Sequence, residues 1–249
     1  LGTELVSFSA ILTCLKIGAR PAAMVEPTAQ PTTWRAALGL PCILGAPVYF
    51  ETQIDAILGG ERVEAVRLRG ADGGVREIEA DGLIVSGAFM PEASLPRQSG
   101  LTIDPGARGP VVDAFGRCSD TTVFAAGNGL RAVETAGWSW REGAAAADRI
   151  VRDLEAPQPP STHSARCDGD ALKYVLPQRF TPGVVDGAVD VFQLRFARPA
   201  RGRLVARSGG RTLWTRRIDG LPERRVLAPF APIANAAGGD VVFTMEGAA

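Results

Sequence analysis

The proline-rich stretch EAPQPPSTHS, residues 155–164, constrains the fold more than any other feature of the sequence. Pro157, Pro159 and Pro160 exclude a regular element there, so the stretch reads as a linker and a domain boundary. The two sides of it differ in kind. Upstream, helical and strand patterns alternate, as in an α/β unit. Downstream, ALKYVLPQRF, VDVFQLRFARP, GRLVARSG, RTLWTRRI and DVVFTM are short strand-like runs separated by Gly and Pro turns. They read as a small all-β domain.

Upstream, Leu5, Phe8, Ile11, Leu12 and Leu15 recur at helical spacing between Glu4 and Ile17, with Gly18 as the stop. RPAAMVEP follows as a short strand ending at Glu26. TTWRAALGL reads as a short helix capped by Thr33. ERVEAVRLRG and VREIEADG alternate apolar and polar residues around ADGG, which predicts a hairpin. GLIVSG is continuously apolar and suits a buried strand. LTIDPGARGPVVDAFGRCSD is strand and turn material. Val123 to Ala126 then reads as a short strand ending abruptly in Gly127-Asn128-Gly129. The helix TAGWSWREGAAAADRIVRDL follows, and its small residues permit close packing. Trp138 and Trp140, at its start, suit packing or the lining of a cleft.

Composition excludes more than it selects. Among 249 residues, 27 Lys and Arg balance 27 Asp and Glu, so no global charge draws nucleic acid or an anionic membrane. No apolar run reaches the roughly 20 residues that span a bilayer. Cys14, Cys42, Cys118 and Cys167 show no CxxC spacing, and there is a single histidine, so no metal site is expected. Isolated thiols suit a cytoplasmic protein. His163 lies in the linker and reads as solvated. The N-terminal stretch lacks both a basic start and an initiator Met, so the chain is expected to begin inside a longer protein. Arginines crowd the sequence between Arg195 and Arg225. They suit outward-facing strand positions, or a surface for an anionic partner or an acidic subunit.

Gly2 opens a helix that leads to a strand ending in the acid Glu26. In a dinucleotide-binding βαβ unit, a glycine there lets the backbone approach a pyrophosphate, the helix N-terminus favours its charge, and the acid accepts from ribose hydroxyls. An ordinary αβ unit would use the same residues for packing. The first strand and first glycine would precede Leu1, and the third glycine position, counted from Gly2, holds Leu5. For Gly127-Asn128-Gly129 the plain alternative is a left-handed turn.

The order of these pieces, namely the αβ unit, LIVSGAFMP, TTVFAAGNG and TAGWSWREGAAAADRI, resembles the C-terminal part of flavoproteins with two dinucleotide-binding domains, of the pyridine nucleotide-disulfide oxidoreductase type. The likeness covers about residues 1–154. CDGDALKYVLPQRF also resembles the start of a C-terminal extension in dehydrogenase subunits of that type. The resemblance implies an α/β fold with four parts. A Rossmann-like NAD(P)-binding domain without its first strand occupies 1–92, a returning segment of an FAD-binding domain 93–155, a linker 156–168, and a small β-rich domain 169–249. It implies FAD in the complete protein, held by Gly87, Gly127, Asn128 and Ala136, and Gly2, Thr3 and Glu26 toward NAD(P) if one binds.

The implied activity is FAD-dependent oxidoreduction between a small-molecule substrate or NAD(P)H and an acceptor, absent from this fragment alone. A non-catalytic or nucleotide-binding subunit, docking partners through the Arg-rich β domain, is the alternative. Asn128 stands where that family usually has Asp, and Phe89 where many relatives have Arg. No catalytic acid or base and no redox-active cysteine pair is identified.

Overall fold

The computed structural model describes residues 1–87 and 89–247. The chain divides into two compact units, Leu1–Phe89 and Met90–Ala249.

In the first unit, helix α1 (Leu5–Lys16) buries Ser7, Phe8 and Ile11. It leads into strand β1 (Met24–Val25). A 3₁₀ turn, Arg35–Leu38, runs into helix α2 (Gly39–Ile43), where one short helix was expected. Trp34, not Thr33, is the residue at the N-cap of that turn. Strand β2 (Val48–Tyr49) pairs in parallel with β1. Strands β3 (Thr52–Leu58), β4 (Ala65–Gly70) and β5 (Val75–Glu79) form an antiparallel meander, with the β4–β5 hairpin turning through ADGG as its alternation predicts.

Leu1 and Gly2 join this parallel arrangement. The Gly2 N–H donates to the Val25 carbonyl at 2.8 Å, and the Ser86 N–H donates to the Leu1 carbonyl at 2.9 Å. GLIVSG, expected as a strand, therefore runs beside Leu1 with too few partners to register as one. A largely apolar cavity of about 840 Å³ lies between α1, residues 19–25 and 80–86, and the inner face of the meander at Ile54, Val66, Leu68 and Ile78.

The second unit begins with helix α3 (Ser94–Gln98) and a run of bridged turns. The strand expected at Val123–Ala126 is absent. Phe124 makes one isolated bridge, to Arg117, and Gly127–Gly129 form a 3₁₀ turn. Helix α4 (Ala136–Glu155) follows, its N-cap Thr135 accepting from the Trp138 N–H. Strands β6 (His163–Cys167), β7 (Leu172–Leu176), β8 (Arg179–Phe180), β9 (Val191–Phe196), β10 (Ala200–Ser208), β11 (Arg211–Gly220), β12 (Val226–Pro229) and β13 (Val241–Glu246) complete it, with helix α5 (Phe230–Ala236) before the last strand. They make a five-stranded sheet, β11-β10-β13-β6-β8, and a three-stranded sheet, β12-β9-β7.

Phe180, Phe192, Phe230 and Phe243 meet in the core, with ring centroids 5.0–6.3 Å apart. Aromatic contacts of this kind add to the large area these rings bury.

The stretch expected as a linker is held rather than free. Arg117, buried against Asp113, donates to the carbonyls of Gln158 and Pro159 at 2.7 and 2.8 Å. His163 stands in β6, its Nδ1 2.7 Å from Thr162 Oγ1. Residues 90–155 and the β-rich part form one unit, joined by such bonds as that from the Val189 N–H to the Ala114 carbonyl at 2.8 Å.

Candidate functional site

Each unit carries one group of the expected residues. In the first, Gly2 has φ +106°, a conformation that costs glycine alone nothing. It ends the stretch paired with Val25 and opens α1, so it takes the tight-turn place of a glycine-rich fingerprint. Counted from there at G-x-G-x-x-G spacing, the second and third positions are Glu4 and Ser7. This count differs from the one that put the first glycine ahead of Leu1.

The side chain of Glu4 fills the space that the glycines leave. A Cβ built on Gly2 would lie 2.3 Å from Glu4 Oε2, and one on Gly87 3.2 Å from Glu4 Oε1. Ser7 Oγ donates to Glu4 Oε2 at 3.2 Å and lies 2.7 Å from Ser86 Oγ. Burial pushes the Glu4 carboxyl above its ordinary value, against the lowering effect of these hydrogen bonds.

Glu26 is turned inward and only 3% exposed. Its Oε2 accepts from Thr3 Oγ1 at 2.5 Å. Its Oε1 accepts from the Thr28 N–H at 3.0 Å and from Thr28 Oγ1 at 2.8 Å. The structure thus brings Gly2, Thr3, Glu26 and Gly87 together. It gives Thr3 and Glu26 to one another rather than to an open face.

In the second unit, Gly127 has φ +64°, and a Cβ there would meet Ser139 Cβ at 3.2 Å. The turn is pinned from below, where the Gly127 N–H donates to Glu142 Oε2 at 2.7 Å. Arg131 grips both Glu142 oxygens, at 3.0 and 2.9 Å, and Gln193 Nε2 donates to Oε1 at 3.0 Å. Burial alone would raise the Glu142 carboxyl. The bonds from Arg131, Gly127 and Gln193 outweigh it and hold the group below its ordinary range.

Beside it, buried Glu134 pairs with Arg131, Arg195 and Arg225, and the Arg225 guanidinium lies 3.6 Å from the centre of the Trp138 ring. Three arginines thus face two carboxylates. Arg195 and Arg225 were expected to face outward, and the buried Glu134 carboxylate draws them in instead.

Above this cluster the surface is open. Asn128 is exposed, with Oδ1 accepting from the Glu134 N–H at 2.9 Å. A Cβ built on Gly129 or Gly137 would meet nothing within 4 Å. Ala136 is exposed at the head of α4, whose first turn carries no acidic residue. Trp138 Nε1 and Ser139 Oγ are buried without a hydrogen-bond partner. A helix N-terminus with no acidic residue in its first turn, beside open glycine backbone, fits an anionic, hydroxyl-bearing group such as FAD.

Sequence reasoning missed Glu4, Ser7, Glu134 and Glu142. The first two were visible as the fingerprint spacing read from Gly2. Glu134 and Glu142 carried no signal beyond the Arg131–Glu134 spacing, because Arg195 and Arg225 reach Glu134 from far along the chain and Arg131 meets Glu142 only through the fold. Among the described residues no group of His, Cys, Asp and Glu is placed to hold a metal ion. No helix among them is long and apolar enough to cross a membrane.

No family model matches the chain. The chain is similar to the ferredoxin reductase component of chlorobenzene dioxygenase from Cupriavidus sp. (strain PS12), 34% identical over 179 residues, which is 64% of this chain and 41% of that protein. It therefore spans less than half the length of that curated relative. Among solved structures it resembles a ferredoxin reductase from Rhodopseudomonas palustris, with TM-score 0.51 and 16% identity over 80% of this chain and 53% of that one. It also resembles an FAD-dependent pyridine nucleotide-disulphide oxidoreductase from Desulfovibrio vulgaris, with TM-score 0.50 and 17% identity over 88% and 55%. The reductase in a covalent putidaredoxin reductase–putidaredoxin complex gives TM-score 0.50 and 16% identity over 88% and 51%. The α/β, FAD/NAD(P) oxidoreductase-like fold expected from the motif order is borne out.

Proposed function

We propose that this chain, whose fold is that of FAD/NAD(P)-dependent oxidoreductases, is part of a flavoprotein that passes electrons from a small-molecule donor or NAD(P)H to an acceptor. The observation that carries this reading is the open Gly127-Asn128-Gly129 turn set against the N-terminus of α4, whose first turn carries no acidic residue. Bound there, FAD would supply the redox chemistry, and the chain's own part is to hold and orient it. Gly129, Ala136 and Gly137 present backbone without side chains in the way. Asn128 presents a neutral amide, and Glu142 fixes the turn from beneath.

Arg201, Arg203 and Arg217 are exposed on one face of the β10–β11 hairpin, with Arg203 directly opposite Arg217 and Arg201 opposite Asp219. That largely cationic face suits an acidic protein partner or acceptor. The R. palustris and Cupriavidus relatives are ferredoxin reductases by name. A protein acceptor is in keeping with that likeness.

FAD retention in the flavoprotein that contains this chain tests the reading. Asn128→Ala is expected to weaken FAD by about 0.5–1.5 kcal/mol, roughly two- to tenfold in dissociation constant. Asn128→Asp is expected to retain it. Unchanged affinity in Asn128→Ala, with circular dichroism intact, makes the segment a plain turn and removes the reading's support.

A further inference from the structure

The first unit has the frame of a dinucleotide site but not its vacancy. In a glycine-rich fingerprint the second glycine is there so that backbone can approach the pyrophosphate. In this chain that position is Glu4, and its carboxylate lies in the space left by Gly2 and Gly87, 3.2 Å from Ser7 Oγ. The pyrophosphate would have to occupy the same volume and carry the same sign of charge. Glu26, the second requirement of such a site, is 3% exposed and spends both oxygens on Thr3 and Thr28. The buried carboxylate of Glu26 also acts on Glu4, so a pyrophosphate bound in its place would meet a second negative charge.

We infer that Glu4 takes the seat of the pyrophosphate, and that the first unit therefore binds no nicotinamide dinucleotide. Glu4 here acts as an exclusion residue, through both volume and charge. It follows, on the flavoprotein reading above, that the electron donor is a small organic molecule and not NAD(P)H bound at this unit.

The rise in the Glu4 carboxyl agrees with a group held in a seat that offers it few donors. Exposed carboxylates elsewhere in this unit find arginines instead, as Glu77 does with Arg67 and Asp55 with Arg69.

The test is binding of NADH, NADPH and ADP-ribose by calorimetry to the chain and to two variants, Glu4→Gly and Glu4→Gln, each checked by circular dichroism. The wild type is expected to show no saturable binding. Glu4→Gly, which frees both volume and charge, is expected to gain at least about tenfold in affinity for ADP-ribose. Glu4→Gln, which keeps the volume, is expected to gain less.

Saturable wild-type binding that Glu4→Gly leaves unchanged overturns the inference. So does a folded Glu4→Gly variant that gains nothing, because something other than Glu4 then excludes the ligand. The visible flavin spectrum of the protein that contains this chain reports the flavoprotein reading separately. Its absence would remove that reading and the statement about the donor, while the calorimetric result would still decide the role of Glu4.

Discussion

Glu142 and Glu4 are both partly buried carboxylates, and their surroundings push them in opposite directions. Glu142 is held below its ordinary value of 4.5, so it contributes stability that is present above that pH and is lost as pH falls through its folded value. Glu4 is raised above 4.5, so its burden is fully present above its folded value and vanishes below 4.5. Glu142→Gln should therefore cost stability at neutral pH and flatten the acid limb of the stability profile. Removing one partner of a buried ion pair typically costs about 3–5 kcal/mol, and the partial exposure of Glu142 places it at the lower end. Glu4→Gln should do the reverse, stabilising the chain at pH 7 and leaving it unchanged near pH 4. Urea midpoints of both variants between pH 4 and 8 check the two signs. A loss of stability at pH 7 in Glu4→Gln would contradict the account of its burial.

Among the elements, the Gly127–Gly129 turn, which ends at Leu130, depends on a backbone approach that no side chain can share. A Cβ on Gly109 would lie 2.0 Å from the Leu130 carbonyl oxygen and 3.0 Å from that of Gly129. Backbone cannot swing aside as a side-chain tip can, so Gly109→Ala should destabilise the second unit by about 1–3 kcal/mol or more. A thermal melt that matches wild type would show that the Gly127–Gly129 turn tolerates displacement.

The sequence pattern exposed α1, α4, the β4–β5 hairpin and most strands of the β-rich part, because each has its own periodicity or turn chemistry. It could not expose α5, seven residues long. Nor could it show the failure of Val123–Ala126 to form a strand, because an apolar run carries no record of whether a neighbour will pair with it. The candidate residues Gly2, Gly127 and Asn128 were legible from turns alone. The arginine–carboxylate cluster beneath them was not, since Arg131, Glu142, Arg195 and Arg225 meet only through tertiary packing.

For the molecule as a whole, burial is uneven. The second unit closes its aromatic core completely, with Phe180, Phe192, Phe230 and Phe243 at 0% exposure. The first unit keeps the apolar cavity beside Leu1, with β1 paired to β2 on one flank and met by Gly2 on the other. In the second unit, rings packed on every side leave little room for local opening, so amide exchange in β9 and β10 should run slower than in α1, and hydrogen exchange followed by mass spectrometry checks the difference.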